Sequence, residues 1–395
     1  MAKYIILLNL NMCLLFSSCI TEYVVTDMDE VWGILVVEGM ITDNESTITL
    51  SRSVGIHAYH YYISTIYANY ANVYVECDDG TQWEAELQSS DYWMNPTHGQ
   101  YIIKTGKLNV DRKYRLKIEI EEEDRDSNTG YLKVESGFTE ITKMYEYCSE
   151  YSYPVQTPEI DNIFWTKKGI GQPVQIYVST HDPKNEILHY RWSFKEDWEI
   201  NSPFYVVKQP ELYYCWKTDS STDLLVGSAV RMVDGKLTER ITEISPYDPK
   251  LSIMYRINVN QNAISKRAYN YFENIKKNIE LSGSIFAPIP SEMRGNIVCT
   301  TDPNIPVIGY IEVSTTASKQ QDIIRGIDNA FEYLKWQDCS EIGFEELMLT
   351  YGRIPDNYIE LYQNVYAPIQ CVDCKYQHGQ NGTKQKPDDW PNDHE

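Results

Sequence analysis

Positive charge is what this sequence is shortest of. Lys and Arg number 35 against 57 Asp and Glu, for a net charge of −22 and a pI of about 4.7. Such an acidic chain repels phosphate backbones, which argues against nucleic acid as a partner, and it gains nothing from an anionic membrane surface. Long apolar runs are missing beyond the first 19 residues, so no later stretch is expected to cross a bilayer as a helix. The familiar catalytic signatures are missing as well. There is no G-x-S-x-G, no H-E-x-x-H, no P-loop and no dinucleotide fingerprint opening a helix after a strand. Carboxylates are abundant, but a catalytic pair is defined by separation in space, not by abundance. No catalytic residue, metal or cofactor is expected, and the role is expected to be non-enzymatic.

What is present begins with an export signal. Lys3 gives a short positive start, and Tyr4 to Phe16 is an apolar run broken by Asn9 and Asn11. That run is too short to span a bilayer and suits the core of a signal peptide. It ends in Leu14-Leu15-Phe16-Ser17-Ser18-Cys19, where small residues precede a cysteine as in a bacterial lipobox. Phe16 stands where Leu is usual. The expectation is a signal peptide over 1–18, lipidation of Cys19 and a tether over 19–30. Several acyl chains, each contributing about 0.8 kcal/mol per buried methylene, anchor a protein stably. The mature body is then held to a membrane by lipid alone.

Of the nine cysteines, Cys13 leaves with the signal and Cys19 is the lipid site. Cys77, Cys148, Cys215, Cys299, Cys339, Cys371 and Cys374 remain, an odd set, so at least one is unpaired or bonded between chains. Export permits disulfides. Cys371 and Cys374 form a C-x-x-C that lacks a second such pair, a His pair or a βαβ setting, so a zinc or redox site is disfavoured. A structural bridge from Cys339 to Cys371 or to Cys374 is expected instead.

The body reads as mainly β. Ile34 to Gly39, Ser46 to Ser53, Ala71 to Cys77, Gln82 to Leu87, Tyr101 to Ile103, Tyr114 to Ile120 and Tyr131 to Phe138 are strand-like, with Asp78-Asp79-Gly80 a hairpin turn. They predict an immunoglobulin-like or transthyretin-like β-sandwich over 31–142. A Tyr- and Pro-rich stretch, 143–158, is the expected linker. A second sandwich over 159–318 follows, with strands at Val174 to Ser179, His189 to Phe194, Tyr213 to Trp216, Tyr255 to Val259 and Val307 to Val313. Inside it lies the clearest amphipathic helix of the chain, 265–282. Ala268, Tyr271, Phe272, Ile275 and Ile279 form its apolar stripe, Ser265 its N-cap and Gly283 its stop. Residues 319–395 form a Cys-containing extension.

One stretch is crowded with rings: His57, Tyr59, His60, Tyr61, Tyr62, Tyr67 and Tyr70. Tyrosine offers a large amphipathic contact at low entropic cost. Tyr61-Tyr62 also breaks the alternation a sandwich core demands. Tyr59, Tyr61, Tyr62, Tyr67 and Tyr70 are therefore the candidate contacts for a ligand or partner. His57 and His60 have no third ligand in view and are not read as a metal site.

Taken in order, the Ser-Ser-Cys signal, VVEGMITD, ANVYVECDDG, THDPKNEILHYRWSF, Cys215-Trp216, AYNYFENIKKNIELSGSIFAPIPSEMRGNI, VIGYIEV and Cys371-Val372-Asp373-Cys374 resemble the Bacteroidota lipoprotein family known as domain of unknown function 4249. The family has no agreed catalytic residues, so none is carried over. The resemblance implies an outer-membrane lipoprotein at the cell surface, often encoded beside a TonB-dependent transporter. By analogy it implies capture of a nutrient, whether a small molecule, glycan or peptide, for that transporter. A structural or adhesive, fimbria-like surface protein is the alternative, and would need a polymerising edge or donor strand.

Overall fold

The computed structural model describes residues 33–53, 67–88, 99–123, 142–281, 295–325, 339–379 and 382–391. It is mainly β, in two sandwiches with a smaller sheet near the C-terminus. In the first sandwich one sheet runs, in spatial order, Val307–Gly309, Leu35–Gly39, Asn44–Arg52, Gln100–Gly106 and Glu86–Leu87. The other runs Ile297–Cys299, Thr142–Ser149, Tyr114–Glu123, Ala71–Cys77 and Gln82–Glu84. Alternation decides which side chains face inward. Val73, Val75 and Cys77 are buried while Asn72 is exposed, and Leu116, Ile118 and Ile120 do the same from the neighbouring strand. Each such side chain contributes about 1.5–3 kcal/mol on full burial. The expected Gln82 to Leu87 strand breaks at Ala85, so that Gln82–Glu84 pairs with one sheet and Glu86–Leu87 with the other.

Three boundaries differ from the sequence expectation, two of them around the first sandwich. Thr142–Ser149 is a strand of the first sandwich, where a linker over 143–158 was expected. Residues 297–314, expected in the second sandwich, return to the first. Ile297–Cys299 pairs antiparallel with Thr142–Ser149, Val307–Gly309 lies parallel to Leu35–Gly39, and Val313–Ser314 lies parallel to Ile41–Thr42. Ile297, Ile305, Ile311 and Val313 join the first core. Gly295 permits the return, because a Cβ there would stand 1.6 Å from the carbonyl oxygen of Gly309. Asn296 then holds the turn, donating to the Ile311 carbonyl at 2.7 Å and accepting from the Ile311 N–H at 2.8 Å.

The second sandwich sets Ile160–Lys167, Val174–Thr180 and Leu237–Ile244 against a sheet of Tyr214–Ser220, His189–Asn201, Met254–Ala263 and Thr316–Ile324. Leu225–Ser228 pairs with the first residues of His189–Asn201. Tyr190, Trp192, Trp198, Tyr255, Ile257 and Val259 fill its core. The buried Gln261 is satisfied there: it accepts from the Trp192 indole at 2.8 Å and donates to Pro158 O at 2.9 Å and Thr180 Oγ1 at 3.0 Å.

Three chain segments cross between the sandwiches, and they bond to one another. Thr157 Oγ1 accepts from the Ala263 N–H at 2.8 Å, Ser314 Oγ donates to the Ala263 carbonyl at 2.8 Å, and Val155 N donates to Val313 O at 2.9 Å.

The amphipathic helix, α1, is Lys266–Leu281. Ser265 caps it as expected, accepting from the Ala268 N–H at 3.1 Å. The Ser265 hydroxyl donates in turn to the buried Glu312 at 2.6 Å. Gly283 lies outside the described residues. The helix does not close the second core, as the sequence suggested. Ala268, Tyr271 and Phe272 form a separate cluster with Met40 and Tyr310 from the first sandwich and Val226 from the second. The stripe is buried at its start, half-buried at Ile275 and 64 % exposed at Ile279.

The C-terminal extension contains a sheet of Ile342–Gly343, Val365–Pro368 and Tyr358–Tyr362 and a short helix, α2, at Phe344–Tyr351. Gly352, at φ +67°, ends that helix in the left-handed region that glycine tolerates. The strand Thr316–Ile324, which crosses the expected 318 boundary, belongs to the second sandwich.

Candidate functional site

Between the two sandwiches, roofed by α1, lies a cleft of ≈ 990 Å³. One wall is Val36 to Gly39 and Ile308 to Tyr310 of the first sandwich. The other is Arg191 to Ser193, Ser221 to Leu225 and Glu239 to Glu243 of the second. From above, α1 contributes Tyr271, Phe272, Ile275, Lys276 and Ile279. A volume of this order and a mixed apolar and polar lining suit a small ligand.

The strand His189–Asn201 explains what the second wall offers. Tyr190, Trp192 and Trp198 turn into the core, so His189, Arg191 and Ser193 turn outward. An outward residue on a sandwich ordinarily meets water. Here α1 lies over it. Tyr269 stacks on His189 with ring centroids 4.6 Å apart, and the Arg191 guanidinium carbon stands 4.8 Å over the Phe272 ring. Arg191 is half-buried and lines the cleft. Burial pulls its pKa below the ordinary arginine value, and Glu38, an exposed carboxylate, acts in the opposite direction through space. Burial likewise raises the Glu239 carboxyl, with Lys276 and Arg240 opposing the shift. Tyr271 is raised by burial and then by Glu38.

Several residues singled out from the sequence lie outside the described residues: Cys19, His57, Tyr59, His60, Tyr61 and Tyr62. Tyr67 is half-buried and bridges Ser51 through the backbone, while Tyr70 is 91 % exposed. Neither is among the side chains lining the cleft. Asp182, after His181 in the turn before the strand His189–Asn201, holds that turn: its carboxylate accepts the N–H groups of Lys184, Glu186 and Ile187 at 3.1, 2.8 and 2.9 Å.

Cys339 is bonded to Cys371, one of its two expected partners. Cys374 is bonded instead to Cys215 of the second sandwich, a partner 159 residues away that no local pattern announces. Cys77, Cys148 and Cys299 are buried thiols. Among the described residues, Cys215, Asp373 and Cys374 are close enough to suggest a metal group, but the two sulfurs are bonded to each other. The Lys384 ammonium sits 2.9 Å from Asp373 and 3.1 Å from the Cys374 sulfur.

The cleft was missed in the sequence because it needs elements far apart in the chain. The available signals were a charged residue on the outward register of HYRWSF and an apolar stripe on α1 longer than one core could cover. Among the described residues, no helix is long and apolar enough to cross a membrane.

Two β-sandwiches joined through a helix, with a cleft where they meet, define the molecule as a two-unit β-sandwich protein. A family model described as a domain of unknown function (DUF4249) matches residues 21–135 and 139–320, and the chain belongs to that family. The match covers strands of both sandwiches and α1, and ends before the disulfide-tied extension. A comparison with curated proteins finds no match.

Proposed function

We propose that this protein is a lipid-anchored, non-enzymatic subunit of the outer membrane that captures a small ligand at the cell surface and works beside a TonB-dependent transporter. The observation carrying this reading is the cleft of ≈ 990 Å³, walled by both sandwiches and roofed by α1. Family membership and the Ser17-Ser18-Cys19 sequence support the surface setting. In this reading the stretch containing Tyr59, Tyr61, Tyr62, Tyr67 and Tyr70 is the contact surface for the transporter, with Tyr70 already standing 91 % exposed.

Affinity purification of the tagged protein from detergent-solubilised outer membrane tests it. The expected result is co-recovery of one TonB-dependent transporter in comparable amount, lost in the Tyr61→Ala/Tyr62→Ala/Tyr67→Ala variant at an unchanged melting temperature. Recovery of the protein only as chains of itself would favour a fimbria-like role.

A further inference from the structure

The geometry points to the chemical class of the ligand: a carboxylate on an apolar body, with the acid group seated on Arg191 and the body lying along Phe272, Ile275 and Ile308. This rests on the reading of the cleft as a capture site.

Arg191 is unlike its peers. Among the described residues, the other arginines that are buried or half-buried are Arg52, Arg115 and Arg256. Arg256 holds Asp322 through two nitrogens at 2.8 and 3.0 Å, Arg115 holds Glu76 at 2.7 Å, and Arg52 donates to the Gly33 carbonyl at 3.1 Å. Arg191 makes its ring contact with Phe272, and no hydrogen bond or ion pair joins its guanidinium to a described residue. Drawing a guanidinium away from water without an acceptor is costly, so a fold that keeps one in a cleft wall leaves its donors for something else. Phe272 covers one face of the guanidinium. The planar edge carries its N–H groups in a fork that fits a carboxylate with two parallel bonds.

Charge balance narrows the anion. The lining carries the cations Arg191, Arg240 and Lys276 and the carboxylates Glu38, Asp223, Glu239 and Glu243, with Arg240 paired to Glu243 at 2.8 Å. A single negative charge at Arg191 meets less repulsion from these carboxylates than a doubly charged phosphate would. The rest of the lining mixes apolar side chains, among them Val36, Leu224 and Tyr310, with hydroxyl groups such as Ser193, Ser221 and Thr242. A ligand with an apolar body beyond its acid group lies along the apolar part of that lining.

Titration calorimetry on the Cys19→Ala full chain tests this with phenylbutyrate, indole propionate and decanoate, each beside its neutral amide. At least one acid should bind one-to-one, and roughly tenfold or more tighter than its own amide. Arg191→Gln should bring acid and amide to within about threefold of each other, because it removes the fork and the charge while leaving the apolar walls. Should that variant fail to fold, Arg191→Lys decides. It keeps the charge without the fork and should lose part of the preference. Equal binding of acid and amide by the unaltered protein would overturn the carboxylate assignment and leave capture standing. An undiminished preference in the folded Arg191 variants would also overturn it. Absence of binding by every probe would overturn the assignment and count against the cleft as a capture site.

Discussion

The indole N–H of Trp390 donates to the buried carboxylate of Glu199 at 3.1 Å, across 191 residues of chain. This contact lies on the outer face of the strand His189–Asn201, the same face that α1 covers farther along at Arg191. Trp390 also lies under the Arg256 guanidinium, 5.1 Å from ring centroid to guanidinium carbon, and Arg256 donates to the Asp389 carbonyl at 3.2 Å. The last described residues are thus pinned to the second sandwich by a ring, a carboxylate and a guanidinium.

Burial pushes the Glu199 carboxyl up to about 7, with the Trp390 hydrogen bond and Lys386 opposing the shift. A carboxyl raised on folding gives a stability contribution that is complete below the unfolded value near 4.5 and is lost as pH rises through about 7. The size of the effect is about 3 kcal/mol. Unfolding midpoints between mildly acidic and mildly alkaline pH should therefore fall more steeply for the unaltered protein than for Glu199→Gln. Parallel pH profiles for the two would show that Glu199 is not the source.

Phe272 is 6 % exposed in the cluster that joins α1 to both sandwiches. Phe272→Ala should cost about 3–5 kcal/mol in denaturant unfolding, the usual loss for emptying a packed aromatic site. A loss near zero would mean that the ring is not held between the units.

Peptide mapping without reduction should find Cys215 linked to Cys374 and Cys339 linked to Cys371. Cys77, Cys148 and Cys299 should resist alkylation until the protein unfolds. Burial pushes the Cys148 thiol up to about 11, so it carries almost no thiolate at neutral pH. Replacing Cys215 and Cys374 together by Ser should cost about 2–4 kcal/mol. Stoichiometric zinc with these thiols free would contradict the pairing.

Mass spectrometry of the mature N-terminus should show an acylated Cys19. Cys19→Ala should release the body from the membrane or leave the chain unprocessed. A mature chain beginning at Ile20 or Thr21 would exclude lipidation.

What could be read from the sequence was local. Ala71 to Cys77 was readable as a strand, and its alternation does bury Val73, Val75 and Cys77; the stripe on α1 placed Ala268, Tyr271 and Phe272 on one face. Ser265 was recognisable as a cap because capping needs only a hydroxyl within three residues of the N–H it accepts. Pairing partners were not readable. Val307–Gly309 is apolar enough to lie in either sandwich, and only the register with Leu35–Gly39 assigns it to the first. The Cys215 partner and the enclosure of Arg191 were hidden for the same reason: each depends on an element distant in sequence. The Tyr59 to Tyr62 stretch, where composition spoke most loudly, lies outside the described residues.

The return of residues 297–314 to the first sandwich bears on the order of assembly. Before those residues emerge, Leu35–Gly39 and Thr142–Ser149 are open sheet edges, a template for pairing with another chain. The first unit cannot close until nearly all of the second has been made, so it folds late although it comes first. Contacts of such long separation slow folding and prolong exposure of those edges. The two units cannot be separated by a single cut. A fragment stopping at the apparent boundary near residue 150 would carry two unsatisfied borders and should aggregate, whereas a split that supplies 295–325 in trans has the strands needed to complete it.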